Sequence, residues 1–151
     1  MNLWLLRHGE AQPRAAQDAL RQLTDKGRAE ARASAQSLRE ATITCMLVSP
    51  FVRAQQTADE VCAVLNYQGR REVADWITPD DSPSRALANL DAYEGENLLL
   101  VTHQMFVGDL AGLLVHGHRQ QPFPMGTGCL LQLQGDAFAA GLMRLISTTQ
   151  P

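Results

Sequence analysis

A short apolar run at the start of the chain stops at two polar residues and a glycine. Residues 3–6 are Leu-Trp-Leu-Leu, and Arg7, His8 and Gly9 follow at once. Such a run is typical of a buried strand, and the ligands of open α/β sheets bind just beyond the carboxyl ends of the strands. Arginine and histidine in that position can bind and attack a phosphate, and glycine lets the backbone turn tightly. The same tripeptide also fits a strand that simply ends in a polar turn.

Strands and helices alternate along most of the chain. The further strands are expected at residues 44–48, 72–74, 97–102, 129–133 and 138–146, with the last two forming a hairpin that turns at Gly135 and Asp136. The helices are expected at residues 25–40, 50–65, 84–93 and 106–114, and residues 11–23 form a long polar loop. The alternation predicts an α/β fold, a three-layer α/β/α sandwich with a mostly parallel sheet and an antiparallel edge.

Two of the predicted helices begin with strong capping signals. Thr24 precedes Asp25, and the threonine side chain can cap backbone N–H groups while the carboxylate complements the helix dipole. Ser49 precedes Pro50, and serine as N-cap with proline at the first helical position predicts that the second helix begins at residue 50. Arg53 then lies in the first turn of that helix, near the end of the second strand.

The length, net charge, apolar runs and cysteine count of the chain argue against several classes of protein. The 151 residues suit a single domain with a sizeable core, so we expect one domain over residues 1–151. The net charge of −3 argues against nucleic acid binding, which is typical of basic proteins. No apolar run approaches the roughly 20 residues that span a membrane. Cys45, Cys62 and Cys129 are odd in number and lack a CxxC pair, which argues against disulfides and zinc. The short leader before Arg7 does not resemble a signal peptide, so we expect a cytoplasmic protein.

Three groups of polar residues follow three of the predicted strands. Arg7 and His8 end the first strand, Arg53 follows the second, and His103 directly follows the strand at residues 97–102. If these strands are parallel and adjacent, two histidines and two arginines meet at one edge of the sheet. This convergence is stronger evidence for a site than the first tripeptide alone.

The chemistry that suits such a cluster is phosphoryl transfer. Arginine holds phosphate oxygens with a planar fork of donors and stays charged, and two arginines stabilise the charge on a transferring phosphoryl group. A neutral imidazole is a competent nucleophile and forms a phosphohistidine that water later hydrolyses. Its other ring nitrogen needs an acceptor, such as a backbone carbonyl in the turn, to fix the tautomer. A second histidine, when protonated, would donate a hydrogen bond to the transferring group.

The same residues resemble the motifs of a known family. Residues 7–10 (RHGE), 49–58 (SPFVRAQQTA) and 101–103 (VTH) are similar, in order, to the three motifs of the histidine phosphatase superfamily, whose fold is phosphoglycerate-mutase-like. Residues 23–27 (LTDKG) are similar to its LTxxG segment. The resemblance covers most of the chain, and its motifs are highly specific.

The resemblance implies a role for each of the four site residues. His8 would be the nucleophile, and Arg7, Arg53 and His103 would complete a phosphate pocket. Backbone N–H groups near Gln104 would be further phosphate donors. The resemblance implies no metal and no organic cofactor. The short chain, without inserted helical subdomains, is most similar to the phosphohistidine phosphatases of the superfamily.

One departure from the superfamily concerns the general acid. Larger members carry a glutamate after the second motif in a Gly-aromatic-Glu-Gly context, whereas residues 72–81 here read EVADWITPDD. An alkoxide leaving group needs a well-placed acid and an imidazole needs much less help, so the missing acid favours a P–N substrate. Asp18 and Asp75 are carboxylates that could still reach the site, and Asp18 and Arg21 could contact the substrate. Glu10 receives no role.

Three functions remain open on the sequence alone. The first is a protein phosphohistidine phosphatase that acts, through a covalent phosphohistidine, on a histidine phosphotransfer domain or a phosphotransferase-system component. The second is a small-molecule or general phosphomonoesterase, and the third is a non-catalytic phosphoprotein-binding regulatory domain. The complete set of four site residues favours an enzyme, because a binding module would not require the nucleophile.

Overall fold

Six strands form one sheet in the computed structural model, which describes residues 1–151. They are β1 (Asn2–Arg7), β2 (Cys45–Val48), β3 (Arg70–Val73), β4 (Leu98–Thr102), β5 (Leu130–Gly135) and β6 (Met143–Thr149). Their order across the sheet is β3-β2-β4-β1-β5-β6. The first four strands in this order run parallel, and β5 and β6 pair antiparallel. The mostly parallel sheet with an antiparallel edge is therefore confirmed.

Four helices cover the two faces of the sheet. They are α1 (Asp25–Gln36), α2 (Val52–Leu65), α3 (Pro83–Leu90) and α4 (Phe106–His116). Leu3 and Leu5 of β1 pack into a buried cluster with α3 and α4, while Trp4 and Leu6 pack into a second cluster with α1 and α2. Strands that are buried on both faces need a helical layer on each, which gives the α/β/α sandwich. None of the helices is long and apolar enough to span a membrane.

The carboxyl ends of β1, β4 and β2 lie side by side at one edge of the sheet. Arg7 pairs with Thr102, and Val101 pairs with Val48, so the residues after each strand leave the sheet at the same level. The N–H of His8 also donates to the carbonyl of Thr102 over 3.0 Å, which continues the pairing into the turn. The three strands that carry the site are therefore parallel and adjacent, at the edge where ligands of such sheets bind.

Two glycines allow the turn after β1 to pack against α1. A Cβ atom added to Gly27 would lie 2.0 Å from the carbonyl oxygen of Glu10, and one added to Gly9 would lie 2.1 Å from the carbonyl oxygen of Gly27. The hydroxyl of Thr24 caps α1 by accepting from the N–H of Gly27 over 3.0 Å, as its sequence position predicts. Residues 23–27 thus fix the position of the Arg-His-Gly turn on the helix.

The second helix starts later than its capping signal predicts. α2 begins at Val52, with Phe51 at its N-cap position and no side-chain cap. The prediction that Ser49 caps a helix from Pro50 is therefore wrong. The hydroxyl of Ser49 accepts from the N–H of Phe51 over 3.3 Å, ahead of the helix, and it also lies 2.7 Å from His103 Nε2. A buried imidazole needs a hydrogen-bond partner, and this serine supplies it.

Other boundaries differ at the ends of elements. α1 ends at Gln36 rather than at residue 40, and α3 ends at Leu90 and passes into a 3₁₀ turn. The strand predicted at residues 138–146 is wrong in its first half, because β6 begins only at Met143. Phe138 is buried in the core without belonging to a strand. An apolar residue in a sequence does not reveal whether it will be buried in a strand or in a loop.

We expect Gly27→Ala to destabilise the fold by about 1–3 kcal/mol, because the added Cβ would enter a backbone contact that cannot move aside. Alanine in a helix otherwise adds about 1 kcal/mol of stability over glycine. A fall in the free energy of unfolding, rather than a rise, would therefore support this packing. Urea unfolding measures it. Gly69→Ala is the matched control, because the nearest atoms to a Cβ there belong to the flexible side chain of Tyr67. A Gly27→Ala variant as stable as the wild type would contradict this packing of turn on helix.

Candidate active site

His8 is held by one hydrogen bond at each ring nitrogen. Its Nδ1 lies 2.7 Å from the carbonyl oxygen of Gly9, which can only accept, so Nδ1 carries the proton. Arg53 Nε donates to His8 Nε2 over 3.2 Å, which requires a lone pair on Nε2. Both contacts select the same neutral tautomer and leave Nε2 with the lone pair that a nucleophile needs. The backbone acceptor that the sequence predicts for the second ring nitrogen is therefore the Gly9 carbonyl.

His103 has a buried ring nitrogen without a partner. The residue is 1% exposed, its Nε2 lies 2.7 Å from Ser49 Oγ, and its Nδ1 has no hydrogen-bond partner in the protein. The rings of His8 and His103 meet edge to face, with centroids 5.2 Å apart. When the Ser49 hydroxyl donates to Nε2, the proton of the neutral ring resides on Nδ1. A neutral His103 can then donate to a ligand, so the protonated form considered from the sequence is not required.

Two arginines complete the cluster. Arg7 Nη1 donates to the carbonyl oxygen of Met125 over 2.9 Å, and the buried Nε of Arg7 has no partner. Arg53 is 3% exposed, and its guanidinium carbon lies 5.0 Å from the centroid of the Phe51 ring. Buried polar atoms without partners are rare in proteins. Arg7 Nε and His103 Nδ1 both lack an acceptor, and a phosphate group offers oxygen acceptors together with the matching charge.

Burial keeps both imidazoles neutral. Desolvation, together with the nearby charge of Arg53, lowers the pKa of His8 to about 4. Desolvation and the proximity of His8 lower the pKa of His103 to about 2. Desolvation also lowers the pKa of Arg7 and that of Arg53, but guanidinium groups stay charged at neutral pH. The site therefore combines a neutral imidazole that has a free lone pair with two fixed positive charges, an arrangement that suits attack on an anion.

The loop at residues 11–23 brings Asp18 and Arg21 to the mouth of the site. The backbone carbonyl of Asp18 accepts from Arg53 Nη1 over 2.8 Å, and its carboxylate accepts from Arg53 Nη2 over 3.1 Å. Arg21 Nε donates to the other carboxylate oxygen over 2.8 Å. The loop contains one 3₁₀ turn, Asp18–Leu20. It therefore places Asp18 directly against Arg53, and Arg21 against Asp18.

Gln104 and Asp75 do not extend their side chains into the cluster. The Gln104 side chain donates to the carbonyl of Phe123 over 3.2 Å and accepts from the N–H of Gly108 over 3.0 Å. Only the backbone of Gln104 is left for the predicted phosphate contact. Asp75 is exposed and forms no hydrogen bond with the four central residues. Of the two carboxylates that could reach the site, Asp18 is the one that does.

Thr57 connects the turn after β1 to α2. Its Oγ1 accepts from the N–H of Gly9 over 3.1 Å and donates to the carbonyl of Arg53 over 2.8 Å. One buried hydroxyl thus links the backbone of the Arg-His-Gly turn to that of Arg53. Position within the family segment at residues 49–58 is the only signal in the sequence that points to this threonine.

Glu10 and Glu30 support the same turn from the side of α1. The Glu30 carboxylate accepts from the N–H of Glu10 over 2.8 Å and from the hydroxyl of Thr127 over 2.9 Å. The Glu10 carboxylate accepts from the hydroxyl of Thr24 over 3.0 Å. Glu10, to which the sequence gives no role, therefore holds the turn on the helix. Glu30 belongs to no motif, so its part in the site is visible only in the structure.

Sequence comparisons identify the family of the chain. The profile of the histidine phosphatase superfamily (branch 1) matches residues 3–76. The chain is 36% identical over 128 residues to the phosphohistidine phosphatase SixA of Escherichia coli strain K12, which covers 82% of this chain and 80% of the relative. It is 31% identical over 148 residues to a SixA homologue of Haemophilus influenzae, which covers 90% of this chain and 89% of the relative.

The fold agrees with the same relatives. A solved structure of the protein histidine phosphatase SixA complexed with tungstate matches with a TM-score of 0.90 at 31% identity, covering 100% of this chain and 97% of that chain. With its sandwich fold, its Arg-His-Gly turn and these relatives, the chain belongs to the histidine phosphatase superfamily. Within that superfamily, it is similar to the SixA phosphohistidine phosphatases.

We expect the free energy of unfolding to fall as the pH is lowered from 7 to 5. The unfolded histidines bind protons near pH 6.5, while the lowered pKa values keep the folded His8 and His103 neutral down to about 4 and 2. The unfolded state therefore binds more protons between pH 7 and pH 5. As a result, His8 and His103 each lower the free energy of unfolding by about 2 kcal/mol at pH 5 relative to pH 7.

Urea unfolding at the two pH values measures this effect. His103→Gln should lose about half of the pH dependence that the two histidines cause, whatever its own stability at pH 7. His118→Gln, at an exposed histidine outside the site, is the matched control and should retain all of it. Equal pH dependence in the wild type and in His103→Gln would show that His103 is not buried as a neutral ring.

Proposed function

We propose that this protein is a phosphohistidine phosphatase that hydrolyses the P–N bond of a phosphorylated protein through a covalent phosphohistidine at His8. The observation that carries the proposal is the pair of buried, unpartnered nitrogens, Arg7 Nε and His103 Nδ1, in the same cluster as the unprotonated His8 Nε2. Two relatives that match over most of the chain are phosphohistidine phosphatases by name, SixA and a SixA homologue.

In the first step, His8 Nε2 attacks the phosphorus and the substrate imidazole leaves. Arg7 and Arg53 hold the phosphoryl oxygens and stabilise the charge that spreads over them in the transition state. His103 donates from Nδ1 to a further oxygen, and backbone N–H groups near Gln104 are additional donors. The Gly9 carbonyl, which accepts from His8 Nδ1, stabilises the positive charge that develops on the ring as Nε2 bonds to phosphorus.

In the second step, water attacks the phosphorus of phosphorylated His8. The P–N bond breaks, its electron pair returns to Nε2, and inorganic phosphate leaves with both protons of the water. His8 thereby regains the neutral tautomer that it had at the start. The two steps need only the residues of this chain, so the proposal includes no metal and no organic cofactor.

An imidazole leaving group fits the proposed site better than an alkoxide. An alkoxide must take a proton from an acid as it leaves. Burial keeps His103 neutral, and Asp18 is ionised. Partial desolvation raises the pKa of Asp18, but hydrogen bonds from Arg21 and Arg53 outweigh this effect and lower the pKa overall. The site thus offers no protonated carboxyl group, which an ester substrate would require.

We further propose that the substrate is a phosphohistidine-bearing protein, such as a histidine phosphotransfer domain or a phosphotransferase-system component, and that the enzyme is cytoplasmic. The free thiols of Cys45, Cys62 and Cys129 fit a reducing compartment. The net charge of −3 favours no nucleic acid partner. A single sheet, with β1 near one end of the chain and β6 near the other, supports one domain over residues 1–151.

Rapid quench with a radiolabelled phosphohistidine peptide should trap a phosphoenzyme that is labile in acid and stable in base. His8→Ala should form no such species and show no turnover, because it lacks the attacking nitrogen. His118→Ala, which removes an exposed histidine, should be labelled like the wild type. Binding of the phosphopeptide without any phosphoenzyme would leave a phosphoprotein-binding module as the function.

The substrate class is tested by comparing kcat/KM for a phosphohistidine protein with kcat/KM for sugar phosphates. We expect a preference for phosphohistidine of at least about 100-fold, because general acid catalysis typically contributes that much to a reaction that needs it. Phosphoenzyme trapping on both substrates checks that the same His8 chemistry is measured. A clear preference for the sugar phosphates would make the protein a phosphomonoesterase.

A further inference from the structure

The carboxylate of Asp18 joins two arginines at the mouth of the proposed phosphate pocket. Its Oδ2 accepts from Arg53 Nη2 over 3.1 Å, and its Oδ1 accepts from Arg21 Nε over 2.8 Å. Arg53 Nε in turn donates to His8 Nε2, so one guanidinium group separates the carboxylate from the nucleophilic atom. The Asp18 side chain is 58% exposed and that of Arg53 is 4% exposed. The carboxylate therefore lies on the solvent side of the pocket.

All three nitrogens of the Arg53 guanidinium are engaged within the protein. Besides the contacts of Nε and Nη2, Nη1 donates to the backbone carbonyl of Asp18 over 2.8 Å. Nη1 and Nη2 each carry a second N–H, so a phosphoryl group can bind Arg53 while Asp18 stays in place. Arg21 is anchored separately, since its Nη1 donates to the carbonyl of Gln12 over 3.0 Å. Arg21 therefore helps to keep the Asp18 carboxylate at the pocket mouth.

We propose that Asp18 determines specificity for phosphohistidine by accepting a hydrogen bond from the second ring N–H of the substrate imidazole. This inference rests on the proposed function, because the leaving group must be an imidazole. The leaving nitrogen lies in line with the attacking nitrogen, on the side of the phosphoryl group away from His8. That side is the solvent side, where Asp18 lies. A carboxylate there binds the N–H of a positively charged ring through a charge-assisted hydrogen bond.

The proposed step balances without a proton donor. The reactive substrate carries its phosphoryl group on one ring nitrogen and a proton on the other, so its ring is positively charged. His8 Nε2 supplies the electron pair of the new P–N bond, and the electron pair of the old P–N bond returns to the substrate ring. The substrate leaves as a neutral imidazole with its proton still on the nitrogen that faces Asp18. The positive charge passes to the ring of His8.

A phosphate ester gains nothing from the same carboxylate. Its leaving oxygen carries no N–H for Asp18 to accept, and it needs a proton that an ionised carboxylate cannot supply. The lone pairs of the ester oxygen are also repelled by a negative charge at short range. Asp18 therefore favours cleavage of a P–N bond over cleavage of a P–O bond.

Asp18→Asn tests this proposal, because it keeps the size of the side chain and an oxygen acceptor but removes the charge. One probe is a synthetic peptide that carries phosphohistidine. The other is p-nitrophenyl phosphate, whose leaving group needs no acid, so that it measures the phosphate pocket alone. We expect kcat/KM for the peptide to fall about 10- to 100-fold, the range for a hydrogen bond to a charged group. For the ester, kcat/KM should stay at or above the wild-type value, because the lost carboxylate charge repels the ester oxygen.

Asp75→Asn is the matched control, because it neutralises an exposed carboxylate outside the site, and it should leave both rates unchanged. Arg21→Gln should reduce the preference for the phosphopeptide in the same direction, since it loosens the hold on Asp18. Equal losses on both probes in Asp18→Asn would overturn the proposal, because they would mean that Asp18 only orients Arg53. A wild-type protein that cleaves the ester but not the phosphopeptide would instead refute the proposed function on which the inference rests.

Discussion

The hydrogen bond from Arg53 to His8 is the contact on which the rest of the site depends. It joins the proposed phosphate-binding group to the proposed nucleophile, and it requires a lone pair on Nε2. A guanidinium group buried beside an imidazole is costly unless its charge and its donors find partners. The Phe51 ring and Asp18 provide them. The parallel register of β1, β4 and β2 makes the contact possible, because it ends the strands at the same level.

A second set of contacts keeps the Arg-His-Gly turn from moving relative to its strand. The N–H of Gly128 donates to the carbonyls of Arg7, over 3.1 Å, and of His8, over 3.0 Å. Gly128 has a φ of +74°, a conformation that glycine adopts without strain. On the other side, Gly27 allows α1 to touch the backbone of Glu10. The turn that carries His8 is thus held by backbone contacts from two separate segments of the chain, and such rigid support suits a preorganised site.

Much of this arrangement could be predicted from the sequence. The four central residues follow strands whose apolar runs are unambiguous, and the alternation of elements fixes the layers of the sandwich. Ser49 shows where such inference fails, because a serine before a proline has the pattern of a helix cap whether or not a buried histidine takes its hydroxyl. The sequence predicts that a backbone carbonyl fixes the tautomer of His8. Which carbonyl does so depends on the path of the turn, and it is that of Gly9.

Long-range side-chain contacts were beyond the reach of sequence patterns. Glu30 lies 20 positions from Glu10, and their hydrogen bond has no local signature. Asp18 is one of two candidate carboxylates in the sequence, and only the folded path of its loop distinguishes it from Asp75. The predicted start of β6 is likewise wrong, because Phe138 is buried in the core but lies outside any strand.

The pairing of Asp18 with Arg53 has a consequence for the end of the catalytic cycle. A carboxylate tethered beside the arginine is present at a high effective concentration, and its negative charge opposes the binding of a free anion to the same guanidinium group. Inorganic phosphate, the product, therefore binds Arg53 against the opposing charge of Asp18, which weakens its binding. The empty pocket thus neutralises part of its own charge, which favours release of the product.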